Sequence, residues 1–161
     1  MFNLKAEFYL KIIFLFSFIA LISAFFIEYI LGHQPCNLCL IERIPYGLSI
    51  IIIMAFFLIK KNQKFLVMLL ILTFIFSFAI SFYHFGIEQG FFQESSVCGV
   101  KSSTEIVTKE DLLKQLSEKT ISCRDVTFRI FGLSLTSINI VISLLFIITL
   151  LKIFKKYEKN K

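Results

Sequence analysis

Four apolar runs, about residues 8–31, 44–59, 65–85 and 130–154, constrain this chain more than any other feature. Each is near the roughly 20 residues that carry a helix across a hydrocarbon core. In lipid, every backbone N–H and C=O must be satisfied within its own segment, so runs of this kind form helices. The first run is interrupted by two charges, Lys11 and Glu28, and the second is short enough to borrow a turn from Cys39, Leu40 and Ile41. Charged residues make up 17% of the chain, where a soluble domain carries about 25%. The sequence therefore predicts an all-α membrane protein, a four-helix transmembrane bundle forming a single membrane domain over 1–161, with connecting loops at 32–43 and 86–129. The first run is crowded with Phe and Ile and has no A-x-A-like site after it. It is expected to persist as a helix, not to be cleaved as a signal peptide.

Lysine placement sets the expected orientation. Lys5 precedes the first run, Lys60, Lys61 and Lys64 lie between the second and third, and Lys152, Lys155, Lys156, Lys159 and Lys161 trail the fourth. These segments share a side, and the bias of short basic loops toward the cytosol makes both termini cytoplasmic. The formal net charge of +6 then reads as a signal for topology and anionic lipid. The implied partner is the lipid bilayer, with no nucleic acid. The opposite side receives 32–43 and 86–129, and with them all four cysteines, Cys36, Cys39, Cys98 and Cys123. That side is where disulfides persist. The longer loop is expected to carry a short amphipathic helix, capped at Thr108 with Asp111 reaching back and Leu112, Leu113 and Leu116 on one face. Such a helix lies along the membrane interface or packs on the top of the bundle.

The stretch "GHQPCNLCLIER", residues 32–43, raises the chemical question. Tetrahedral zinc calls for a second close cysteine pair or two histidines at short spacing. Here Cys98 and Cys123 stand far apart, as do His33 and His84, so no metal is expected. A bridge from Cys98 to Cys123 would close a loop of about 26 residues (98 to 123), worth on the order of 3 kcal/mol in loop entropy. A bridge from Cys36 to Cys39 closes almost no loop, so it serves poorly as a staple. CxxC pairs suit redox work because their sulfurs can be poised in pKa and potential. Arg43 follows Cys39 by four residues and shares its face if the second helix begins near Cys39; alternatively it snorkels to the headgroups. His84, in "FYHF" at the end of the third run, is either an interfacial anchor or a functional group.

Taken together, "CNLCLIER", "FYHFGIEQGFF", "VCGV" and "ISCRDVTFRIFGLSLTSIN" resemble the DsbB family of bacterial disulfide bond formation membrane proteins, in the same order and over nearly the full length. The resemblance implies a protein-dithiol:quinone oxidoreductase of the bacterial inner (cytoplasmic) membrane, with its redox cysteines periplasmic. Such an enzyme reoxidises a DsbA-like periplasmic thioredoxin-fold oxidase and passes the electrons to ubiquinone or menaquinone. It further implies that Cys98 forms the mixed disulfide with the partner and Cys123 is its loop mate. Cys123 would attack Cys36, releasing Cys39 toward the quinone, with Arg43 and His84 as quinone-binding residues. A vitamin K epoxide reductase-like quinone reductase carries its loop pair before its CxxC, the reverse of the order here. A non-enzymatic membrane subunit with purely structural disulfides is the reading from another class. Labelling of intact spheroplasts with a membrane-impermeant maleimide, after reduction, should capture these cysteines from outside; capture from the cytosolic face would overturn the orientation.

Overall fold

The computed structural model describes residues 4–59, 62–93, 98, 122–124, 129–130 and 133–159. Helix α1 spans Leu4–Tyr29, α2 Asn37–Leu58 and α3 Gln63–Glu88. An antiparallel pair, β1 (Arg129–Ile130) and β2 (Leu133–Ser134), leads into α4 at Leu135–Lys159. All four helices are long and apolar enough to cross a membrane. The helix expected near Thr108 lies outside the described residues.

Several helix ends differ from the sequence reading by a few residues, and two of them shape the cysteine end. Helix α4 begins at Leu135, not near 130, because Arg129 pairs with Ser134 and Ile130 with Leu133. Helix α2 begins at Asn37, not 44, so the polar turn before the apolar run is itself helical. Cys36 caps it with extended backbone (φ −72°, ψ 167°), its sulfur accepting from the Cys39 N–H at 3.3 Å. Pro35, just before the cap, disfavours helical backbone at its neighbour, so the chain turns before α2 begins. The α1–α2 turn is closed by the His33 N–H bonding to the Ile27 carbonyl at 3.2 Å, with Gly32 at φ +72°. That left-handed conformation favours glycine.

Helix α3 packs most extensively on α4 and α2, α1 leans on α2, and α1 and α4 meet over few residues. Leu10, Ile13, Ile53, Phe56, Leu70, Phe74 and Leu150 fill the centre. Phe74 is edge-on to both Tyr46 and Phe146. Large apolar side chains such as Phe18, Ile51, Leu58, Leu72 and Val141 point outward, the inside-out exposure that lipid permits and water does not. Because lipid removes the hydrophobic drive for helix association, small polar residues fasten the seams. Ser49 Oγ donates to Ser17 Oγ at 2.9 Å across α1–α2, and Ser77 and Ser143 pair at 3.1 Å across α3–α4.

The chain leaves α3 by folding back on it. The N–H groups of Phe91 and Phe92 both reach the Gly86 carbonyl, at 2.8 and 3.1 Å, and Phe92 stacks on Tyr83. A Cβ on Gly86 would lie 2.1 Å from the Phe92 ring, whereas one on Gly47 would meet nothing within 4 Å. Gly86→Ala should therefore lower the Tm in detergent by several degrees, reflecting the about 1–3 kcal/mol that overpacking costs. Gly47→Ala, the matched control, should leave Tm unchanged or raise it.

Candidate active site

The capping turn of α2 places both cysteines of the CxxC at one end of the bundle. Their sulfurs are 2.7 Å apart, less than 1 Å beyond the ~2.05 Å of a bonded pair, so a disulfide between them needs little movement. All four cysteines are unbonded. The two sulfurs of the pair face different surroundings. Cys36 is buried in a cluster with Leu38, Ile87, Cys98 and Cys123, and the Leu38 N–H reaches the Cys123 sulfur. Cys39, half-buried against the same cluster, also lines a cavity of about 350 Å³ between α1, α2 and α4, which Cys36 does not.

The cavity wall is mostly apolar, with Phe16, Ile19, Ile27 and Ile142 among its residues. Polar groups gather near Cys39, where Glu42, Arg43, Tyr46, Thr136 and Asn139 also contribute. It lies on the side where α1 and α4 barely touch. Arg43 Nη1 bonds Glu28 Oε2 on α1, and the guanidinium lies 5.2 Å from the centre of the Phe25 ring. An apolar slot with a few convergent polar groups, one of them cationic, is the kind of site that holds a largely apolar small molecule by its polar end.

Behind the cysteines runs a buried polar network. His84 Nε2 lies 3.6 Å from Cys36 Sγ, and its Nδ1 lies 2.9 Å from Glu42 Oε1. Asn139 Nδ2 donates to Glu42 Oε2 at 3.1 Å and to Ser81 Oγ at 2.7 Å, and the Tyr46 hydroxyl donates to Asn139 Oδ1. Thr136 Oγ1 donates to Glu88 Oε1 at 2.5 Å.

Local chemistry separates the sulfurs outside the spans. The Cys36 thiol is held below the usual thiol range, chiefly by its side-chain hydrogen bond with Cys39. Burial opposes this, and His84 and the Cys39 backbone N–H add to it. The position of Cys36 at a helix N-terminus acts in the same direction. Burial pushes the Cys123 thiol up, helped by its bond with Cys98 and the nearby Cys36 charge.

Cys36, Cys39 and His84 form a three-donor group whose ligand atoms lie within 4.8 Å of one another. Sequence spacing does not reveal this group, because His84 arrives on another helix. Two thiolates on one tetrahedral zinc sit about 3.8 Å apart, given Zn–S near 2.3 Å. The observed 2.7 Å is closer to a disulfide than to a metal site.

Of the six residues singled out from sequence, Cys39 and Arg43 line the cavity and Cys36, Cys98 and Cys123 cluster beside it. His84, expected at the quinone, does not line the cavity, since no residue of α3 does. It is 2% exposed and meets the wall through Glu42 and Thr136. Glu28, Glu42, Tyr46, Thr136 and Asn139 were not picked out as site residues. The available signal was the expense of burying Glu28, Glu42 and Asn139 in apolar helices, which makes such residues functional candidates.

The chain matches the family "Disulfide bond formation protein DsbB" over residues 6–153. It is 31% identical over 147 residues to "Uncharacterized protein RP370" of Rickettsia prowazekii (strain Madrid E), covering 90% of this chain and 86% of that protein. No solved structure matches.

Asn139 joins Glu42, Ser81 and Tyr46, so Asn139→Leu strands three buried polar groups, each costing about 1–3 kcal/mol. Its Tm in detergent should fall well below that of Ser137→Ala, a change in the first turn of α4.

Proposed function

Because the chain belongs to the DsbB family of multi-pass membrane oxidoreductases that form disulfide bonds, we propose that it reoxidises a DsbA-like periplasmic dithiol oxidase. The electrons pass to a membrane quinone, ubiquinone or menaquinone. One observation carries this reading. The CxxC faces two ways, with Cys36 buried against Cys98 and Cys123 and Cys39 on the wall of an apolar cavity beside Arg43.

The relay follows from that placement. A partner thiolate attacks Cys98 of a Cys98–Cys123 disulfide, and the partner's second thiol resolves the mixed disulfide, leaving Cys98 and Cys123 reduced. The Cys123 thiolate then attacks Cys36 Sγ; the Cys36–Cys39 bond breaks and Cys39 departs as a thiolate on the cavity side. Cys98 attacks Cys123, restoring the loop disulfide and leaving Cys36 and Cys39 as a dithiol. A quinone held by the cavity would take two electrons and two protons from that dithiol. Arg43 would orient it and balance the Cys39 thiolate; Glu28 and Phe25 hold the guanidinium in place. Lipid access from the bilayer accounts for a cavity buried in the helices and not in the loop.

Purified protein mixed with a reduced DsbA-like oxidase and ubiquinone or menaquinone should bleach the quinone absorbance band. Cys39→Ser should abolish the bleaching. An oxidase variant lacking its second cysteine should accumulate a mixed disulfide with the unsubstituted protein that Cys98→Ala cannot form. Arg43→Ala should raise the quinone KM about 10- to 100-fold, the equivalent of a charge-assisted hydrogen bond at ~1.5–3 kcal/mol. An unchanged quinone band with both disulfides intact would return the chain to a structural role.

A further inference from the structure

Two buried ionisable side chains take no part in the sulfur relay, yet they stand in line with it. His84 approaches Cys36 Sγ through Nε2 at 3.6 Å and Glu42 Oε1 through Nδ1 at 2.9 Å. Both rings of contact are closed from water, since His84 is 2% and Glu42 9% exposed. Asn139 fixes the carboxylate from its other oxygen at 3.1 Å. A nucleophile bonded to an imidazole that a third group orients is the arrangement by which enzymes activate thiols. Here the three members come from the cap of α2, from α3 and from the second turn of α2, so only the packing of α2 on α3 assembles them.

We infer that His84 is the general base of Cys36 and that Glu42 is the positioning residue that fixes its tautomer and supplies the counter-charge. The inference rests on the thiol relay proposed above. In the step itself the Cys36 S–H bond breaks and the proton binds Nε2. The ring, already carrying hydrogen on Nδ1 for its bond to Glu42, becomes an imidazolium between a thiolate and a carboxylate. No electrons leave at this stage. When the Cys36–Cys39 bond re-forms, with the quinone class as two-electron acceptor, the thiolate charge disappears and the imidazolium releases its proton. The proton released is the one on Nε2, one of the two that the quinone class takes up with the electron pair, so the ring returns to the Nδ1–H tautomer that Glu42 holds.

The groups facing this pair from the packed elements are Cys39 and Glu42 on α2, Glu88 on α3, Thr136 on α4, and Cys98 and Cys123 between α3 and α4. Glu88 Oε1 stands 3.8 Å from Nε2, beyond hydrogen-bonding distance, and is taken by Thr136. Its Oε2 is buried without a hydrogen-bond partner among the described residues. Glu88 therefore lies beside the ring without bonding it, while Glu42, in contact, orients it. The depressed Cys36 thiol agrees with such a base, although Cys39 contributes more to it.

The test uses full-length protein carrying Cys98→Ser and Cys123→Ser, reduced and free of quinone. Alkylation of Cys36 by iodoacetamide is followed by peptide mass spectrometry across pH. With His84 present, the midpoint of the pH profile should lie below about pH 6. His84→Asn should move it toward the ordinary thiol value of about 8.5, where the thiolate fraction at pH 6 is about 0.3%. Glu42→Gln should move the midpoint part of the way, and Glu42→Asp should restore it. A His84→Asn profile that superimposes on its parent overturns the inference. Should that variant not fold, nitrogen NMR of His84 in the unsubstituted protein decides. Both ring nitrogens should be protonated when the CxxC is reduced and one when it is bridged, and identical spectra in the two states overturn the inference. Either failure would leave quinone bleaching by the unsubstituted protein intact, whereas failure of the relay would abolish that bleaching.

Discussion

Ionisable groups buried among apolar helices must find partners, and at the cysteine end of this protein that requirement locates all four helices. Glu42 and Arg43 are consecutive on α2 and reach in different directions. Glu42 bonds His84 on α3 and Asn139 on α4, while Arg43 bonds Glu28 on α1. Lipid offers no solvation to a stray carboxylate or guanidinium, so misplacing any helix would leave a charge uncompensated. Two neighbouring residues thus tie α2 to the three other helices. The cysteine pair sits one turn away from this knot, at the N-terminus of the same helix. Its geometry inherits the rigidity of the knot.

The remainder of the bundle is fastened more weakly, by serine pairs and aromatic edges. Such contacts are each worth about 1 kcal/mol. The asymmetry suits the chemistry. A thiol relay needs the sulfurs of the CxxC held within a fraction of an ångström of bonding, and the network around Glu42 provides a stiff frame. The sparse contact between α1 and α4 leaves room for the cavity on the side where Cys39 and Arg43 emerge.

The CxxC turn separates two environments without any large distance. One sulfur is buried among the loop cysteines, and the other, packed against the same cluster, also lines an apolar wall. A helix N-terminus does this readily: the capping residue points out of the helical path while the residue three positions on already follows it. A loop could hold the same two cysteines but could not fix which sulfur faces which side.

Four spans, their approximate limits and the chemical class of the site were legible in the sequence, because apolar length and CxxC spacing are local properties. The early start of α2 was only half legible: polar residues at 37–43 lower the apolar signal, and their burial becomes favourable only when Glu28, His84 and Asn139 arrive to pair with them. The start of α4 was misplaced because Ile130, Phe131 and Leu133 are as apolar as a helix, while the pairing of 129–130 with 133–134 is invisible to hydropathy. Arg43 could be placed on the face of Cys39 by helical periodicity alone. The position of His84 could not, because its partners are separated from it by 42 and 48 residues and no local pattern encodes which face of α3 meets α2. The sequence by itself determined that this chain enters a membrane carrying a redox-suited cysteine pair, since both follow from residue type and spacing. Only the tertiary structure decided which sulfur meets the loop cysteines, which lines the cavity, and that His84 stands behind them, since those depend on how separate helices satisfy one another's buried charge.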